Sequence, residues 1–224
     1  MILISLSIVG LRAARAGGRE TVVLANLHNL GLTLELFTQA KNGEYPFVAP
    51  GERIYWEPPG GPRSSWLTTT DPWAASYFWP VAMHDVAPWP QNYSSWLSPE
   101  DGPSDPPLWS GESGQNYSSY VYCNAFIASP TVWRQGSAPT LADIKPQRSA
   151  TLASPSNKAI MFERDRRKPD EIKKTGGRRL VLAADGAAAP RWDKDAKAPF
   201  PNPLRGNAAI LYHDTEGGLT GRDY

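Results

Sequence analysis

The chain has 224 residues, room for one moderate domain or for a long helix carrying a head of ordinary size. A formal net charge of +1, from 23 Lys plus Arg against 22 Asp plus Glu, excludes a global field that would gather nucleic acid, and no nucleic-acid partner is expected. A single cysteine, Cys123, excludes an intrachain disulfide and a cysteine-based metal site, while nine tryptophans and nine tyrosines exclude disorder throughout.

The first element is a helix over residues 1–42. Ile2 to Leu11 is almost wholly apolar, but ten helical residues rise only about 15 Å, roughly half a bilayer's hydrocarbon core. Arg12, Arg15 and Arg19, spaced by Ala13, Ala14 and Ala16, suit the membrane surface at the end of an apolar helix, so residues 1–16 form a membrane or filament part. Gly17 and Gly18 each cost about 1 kcal/mol relative to alanine, and a kink or local melting is expected there. Over residues 17–42, Val23, Leu27, Leu30, Leu34 and Phe37 line one face that must pack on something. Asn26, His28, Asn29, Thr33, Glu35 and Thr38 make the other side polar. Asn42 and Gly43 tolerate the left-handed backbone that closes a helix, and Pro46 blocks a restart.

The order of an apolar run, the collar Leu11-Arg12-Ala13-Ala14-Arg15-Ala16, the stretch Ala25-Asn26-Leu27-His28-Asn29-Leu30-Gly31-Leu32-Thr33-Leu34, then Phe37 and Asn42-Gly43-Glu44-Tyr45-Pro46 resembles the N-terminal helix of type IV pilin-like proteins. More narrowly, it looks like the pseudopilin-type proteins with a prepilin cleavage and methylation segment that are abundant in planctomycetes and their relatives. Such proteins begin with a basic leader, a glycine-phenylalanine peptidase site and a glutamate early in a long apolar run. This chain starts inside that run without them, and a misplaced start codon or a fragment is the expectation.

After the helix, residues 47–107 are irregular, punctuated by Pro58-Pro59-Gly60-Gly61-Pro62, Asp71-Pro72, Pro88-Trp89-Pro90 and Ser104-Asp105-Pro106-Pro107. Trp73 to His84, with Trp73, Tyr77, Phe78 and Val81 as apolar anchors, suits a helix or a buried strand by length and periodicity, and helix is the reading adopted, after an aspartate cap and a first-turn proline. The tryptophans at 56, 66, 73, 79, 89, 96 and 109 suit stacking on a glycan or partner. A loop-rich insert with few aliphatic runs needs the same rings as core, each hiding roughly 150–250 Å², and core is the reading adopted. Asn92-Tyr93-Ser94 and Asn116-Tyr117-Ser118 match the N-glycosylation pattern and are read as chance in a bacterial chain.

Strands are expected near 119–127, 158–163, 179–192 and 207–212, where β-branched and aromatic residues gather. The first also looks like the Ser-Tyr-(x)-(x)-Asn stretch of the same family. Within the third, Asp185-Gly186 predicts a two-residue hairpin turn. The family resemblance extends to a strand ending in Ala-Asp-Gly, although relatives place histidine where this chain has Ala187, so no histidine role carries over. Glu216-Gly217-Gly218 reads as a turn before the polar end, and Cys123 as a small buried hydrophobe.

No catalytic constellation emerges. His28, His84 and His213 are scattered, and Gly111-Glu112-Ser113-Gly114 lacks the frame of a nucleophile elbow. Asp185, Asp193 and Asp195 raise the possibility of calcium, but they lack a regular ligand spacing; turn and solvated aspartates explain them, and neither a metal nor another cofactor is assigned. Residues 164–179 hold eight Lys or Arg against three Asp or Glu, a patch that a DNA-binding pilin would exploit electrostatically, and an exposed loop between two strands is the reading adopted.

The fold expected is therefore α+β and pilin-like: an N-terminal helix, residues 1–42, packed on an antiparallel sheet in a head spanning 43–224, with a Pro/Trp-rich insert at about 47–117. The resemblance implies a structural subunit, not an enzyme: part of a type IV pilus-like or type II secretion pseudopilus-like filament. It would be held in the inner membrane as a single-pass protein, with the head in the periplasm or in the filament. Its partners would be other pilin-like subunits and the pilus or secretion assembly machinery. The alternative is a membrane-tethered module that binds glycan or protein through its tryptophans.

Overall fold

In the computed structural model, which describes residues 2–56, 65–68, 70–73, 75–99, 118–164 and 177–224, one helix, α1, runs from Ile2 to Ala40. It passes through Gly17 and Gly18 unbroken, contrary to the expected kink or melting, because intact turns on both sides hold them in the helical ladder. The stop falls where the sequence places it. Asn42 and Gly43 take positive φ angles of 55° and 84°, and the Gly43 amide donates to the Thr38 carbonyl at 2.6 Å.

The head is α+β. A four-stranded antiparallel meander runs in the order β3 (Tyr120–Tyr122), β4 (Ala159–Glu163), β5 (Arg178–Ala183) and β6 (Ala188–Trp192). It follows a small hairpin of β1 (Arg53–Trp56) and β2 (Ser65–Thr68), the short helix α2 (Ala75–Ala82) and the single turn α3 (Trp89–Asn92). Every residue of β3 and the first four of β4 are buried. Since successive strand side chains point to opposite faces, the middle of the sheet is covered on both. One cover is α1, which contacts β4, β5 and β6. Irregular chain between Cys123 and Lys158 and after Trp192 supplies further cover, with Tyr212 and His213 placing their rings 5.3 Å from that of Phe162.

The apolar stripe of α1 is the core's spine: Val23, Leu27, Leu30, Leu34 and Phe37 are all buried. Each such burial is worth roughly 1.5–3 kcal/mol. The approach is close at Gly31, where an added Cβ would stand 3.2 Å from Leu182 Cδ1 and 3.3 Å from Gly186 Cα. Thr38, read as part of the polar side, is also buried, its hydroxyl donating to the Glu35 carbonyl.

Four local expectations need correction. Residues 207–212 form no strand: Asn207 and Tyr212 have positive φ, which extended pairing forbids, and only Ala208 makes an isolated bridge, to Asn202. Of 119–127, only Tyr120–Tyr122 is extended, and Asn124–Phe126 is a turn of 3₁₀ helix. The β5–β6 turn has three residues rather than two. Ala183 and Ala187 remain paired, Gly186 donates to the Ala183 carbonyl, and in that loop only Gly186 has positive φ. The helix begins later than Asp71-Pro72, at Ala75: Asp71 accepts from the Trp73 amide in a turn ahead of α2, Trp73 in that turn and Val81 in the helix are buried, and Tyr77 is exposed. Pro80 lacks the amide that would reach back one turn, and the helix kinks at Phe78.

Candidate functional site

Two features of α1 stand out once its core face is accounted for. The first is an apolar stripe turned to solvent. Leu11, Val22, Leu32 and Leu36 are 54%, 46%, 54% and 57% exposed, and at 100° per residue they fall within roughly 80° of one another, on the side away from the buried stripe. Ala14, Gly18 and Ala25 continue the same sector with small side chains, so another backbone can approach closely. The one polar interruption is Asn29.

Among the described side chains, the head grips the helix from residue 19 onward. Arg19 pairs with Glu163, and Arg178 donates to both oxygens of Glu20 at 2.7 and 2.8 Å, holding the Glu20 carboxyl below its ordinary pKa. The Asn26 side chain donates to the Leu97 carbonyl. Short of Arg19, the described side chains at 11 and 14–18 are all exposed or half-exposed, and nothing lies within 4 Å of a Cβ built at Gly17 or Gly18. From Gly18 back to Ile2 the helix spans a further 25 Å or so. No helix among the described residues is long and apolar enough to cross a membrane.

The second feature is a groove of about 680 Å³ between α1 and the β5–β6 turn. Leu34, Ile160, Ala183 and Leu152 make its apolar floor, and Leu32 of the solvent-facing stripe stands at its lip. Glu35 and Asp185 bring two carboxylates to its lining, which contains no lysine or arginine. Both are exposed. Glu35 accepts from the Gln39 amide, Asp185 accepts from the Ala187 amide within its own turn, and neither meets a cation among the described residues. His28 borders the same groove, its Nδ1 lying 3.4 Å from the Gly186 carbonyl.

The residues weighed for chemistry are kept apart. His28, His84 and His213 lie in separate surroundings, and the Gly111–Gly114 segment falls outside the described residues. Asp185, Asp193 and Asp195 do not converge: Asp193 is taken by Arg179 at 2.8 Å and by the Tyr212 hydroxyl, Asp195 is exposed, and no group of three potential metal ligands occurs among the described residues. The basic loop also lies outside the described residues except for its ends, where Arg178 and Arg179 serve the ion pairs just named. Of the insert's tryptophans with described side chains, Trp73, Trp79 and Trp96 are buried; Trp109 lies outside. Asn92 is partly buried, its amide donating to the Pro88 carbonyl, and Asn116 lies outside the described residues.

A buried polar cluster ties down the last residues. Lys158, fully buried, reaches the Thr215 hydroxyl at 2.5 Å and the Asp223 carboxylate at 3.4 Å, while Asp223 also accepts from the Ala159 amide and from Thr215. Burial lowers the Lys158 pKa, opposed by the Asp223 charge. Asp214 accepts from the Trp133 indole, the Asn202 amide and the Ile210 backbone, which explains why 207–212 curls around it instead of extending. Cys123, buried nearby, has its thiol pKa raised by burial and by Asp223. These groups satisfy one another, and the arrangement is that of a structural lock.

Compared with known proteins, the chain matches no family model, no curated protein and no solved structure. The features sequence reasoning missed are the outer stripe and the groove. The stripe had a signal, since Val22, Ala25, Leu32 and Leu36 sit at helical spacing interrupted by Asn29. The groove had none, being made by segments more than a hundred residues apart.

Proposed function

We propose that the chain is a structural subunit of a pilus-like or pseudopilus-like filament, held at the inner membrane through its N-terminal helix and assembled by packing of that helix against neighbouring copies and the assembly machinery. The observation that supports this most is the outer stripe of Leu11, Val22, Leu32 and Leu36, on a helix whose opposite face is already filled by its own head. A soluble monomer gains nothing from two apolar faces on one helix; a subunit needs one for its head and one for its neighbours. The family resemblance of residues 1–46 points the same way, and no catalytic role is assigned. The alternative, a tethered module that binds through its tryptophans, is less supported, since Trp73, Trp79 and Trp96 are interior.

Sedimentation tests the reading. The full chain is expected to self-associate or to bind detergent, and a chain beginning at Gly17 to run as a monomer. A full chain that stays monomeric without detergent overturns a filament or membrane role for the helix.

A further inference from the structure

Charges on α1 are distributed unevenly along its length. Its first acidic residue is Glu20, which is paired with Arg178, so the portion before it carries only cations. Of these, Arg15 is exposed and meets no acidic partner among the described residues; its neighbours are Leu11, Ala14 and Ala16, apolar and exposed. The groove at the other end of α1 is the complement, with an apolar floor and two carboxylates, Glu35 and Asp185, and no lysine or arginine in the lining to compensate them. Collar and groove cannot meet within one molecule. Twenty helical residues separate Arg15 from Glu35, which places them about 30 Å apart on one rigid rod.

We propose that the groove between α1 and the β5–β6 turn receives the Leu11–Ala16 collar of a second copy, with Arg15 set against Glu35 and Asp185. This rests on the assembly reading above and specifies its contact. Because the surfaces joined are different ones, the contact is heterologous: each copy offers a free groove at one end and a free collar at the other, and successive copies stagger by about 30 Å into an open array rather than a closed dimer. Leu32, at the groove's lip, makes the contact continuous with the outer stripe. Opposite charges fix direction, since collar against collar or groove against groove brings like charges together.

The test uses the full chain and its variants Arg15→Glu, Glu35→Arg, the double variant Arg15→Glu/Glu35→Arg, and Leu32→Ser/Leu36→Ser, with circular dichroism to check folding. Sedimentation equilibrium is expected to show each single charge reversal weakening self-association about tenfold, one decade per 1.4 kcal/mol, and the double reversal restoring most of it. Single reversals without effect, or a double reversal no better than the singles, overturn the pairing. If association survives charge reversal but is lost in Leu32→Ser/Leu36→Ser, the filament reading stands and the groove assignment falls. If the unaltered chain is monomeric, both fall. Binding to phosphatidylglycerol vesicles is measured in parallel: a collar that loses vesicle binding in Arg15→Glu while association is unchanged serves the membrane and not the groove.

Discussion

Acid should unfold this protein through His213. The ring is buried, stands nearly perpendicular to that of Phe162 and has the Asn124 backbone amide as a donor to Nδ1 at 3.4 Å, while Arg205 and Arg179 bring positive charge toward it. Burial, with those two charges, drives its pKa from 6.5 down to about 3. The sign follows directly. Below pH 6.5 the unfolded chain takes a proton that the folded chain refuses until about pH 3, so stability is fully present above 6.5 and falls as pH drops through that window. At 1.36 kcal/mol per unit, acidification from the upper edge of the window to about pH 4 removes roughly 3 kcal/mol. Replacing His213→Gln removes the titration while keeping an acceptor for the Asn124 amide. Equilibrium urea denaturation of both proteins, at about pH 7.5 and at about pH 4, isolates the effect, because titration of carboxylates such as Glu20 and Asp143 is common to both and cancels. The unaltered protein should lose roughly 3 kcal/mol more than the variant over that range. A difference between the two that is the same at both pH values refutes the account of His213 as a buried neutral ring.

Lys158→Ala leaves Asp223 buried without its counter-ion and should cost about 3–5 kcal/mol in urea denaturation; a loss under about 1 kcal/mol means that the pair is not sequestered from water. Leu30→Ala is expected to destabilise by about 2–5 kcal/mol and Leu36→Ala by no more than about 0.5 kcal/mol, and equal losses contradict the division of α1 into a covered and an open face. Gly186 has φ +86° with open space around its missing Cβ, so Gly186→Ala should cost about 1–2 kcal/mol through the backbone alone; a melting temperature equal to the parent's argues against the left-handed turn.

Elements whose specification is local could be read directly from residue order. The core stripe of α1 repeats at helical spacing, and Asn42-Gly43 ends it by a backbone preference that needs no distant partner; two strand-like runs flank Asp185-Gly186. What the tertiary structure decided is whatever depends on partners remote in sequence. Residues 207–212 have strand composition, yet Asp214, held by Trp133 from 81 residues away, curls them into turns. Lys158 and Asp223, 65 residues apart, look like surface charges until the fold buries both. The polar side of α1 likewise proved to be three surfaces: Thr38 enclosed, Glu35 at a groove closed by Asp185, and beyond Glu35 an open stripe of Leu11, Val22, Leu32 and Leu36. Periodicity shows that a helix has faces; which face the protein covers with its own chain and which it leaves for another is settled by long-range packing, because burial belongs to pairs of segments and not to one.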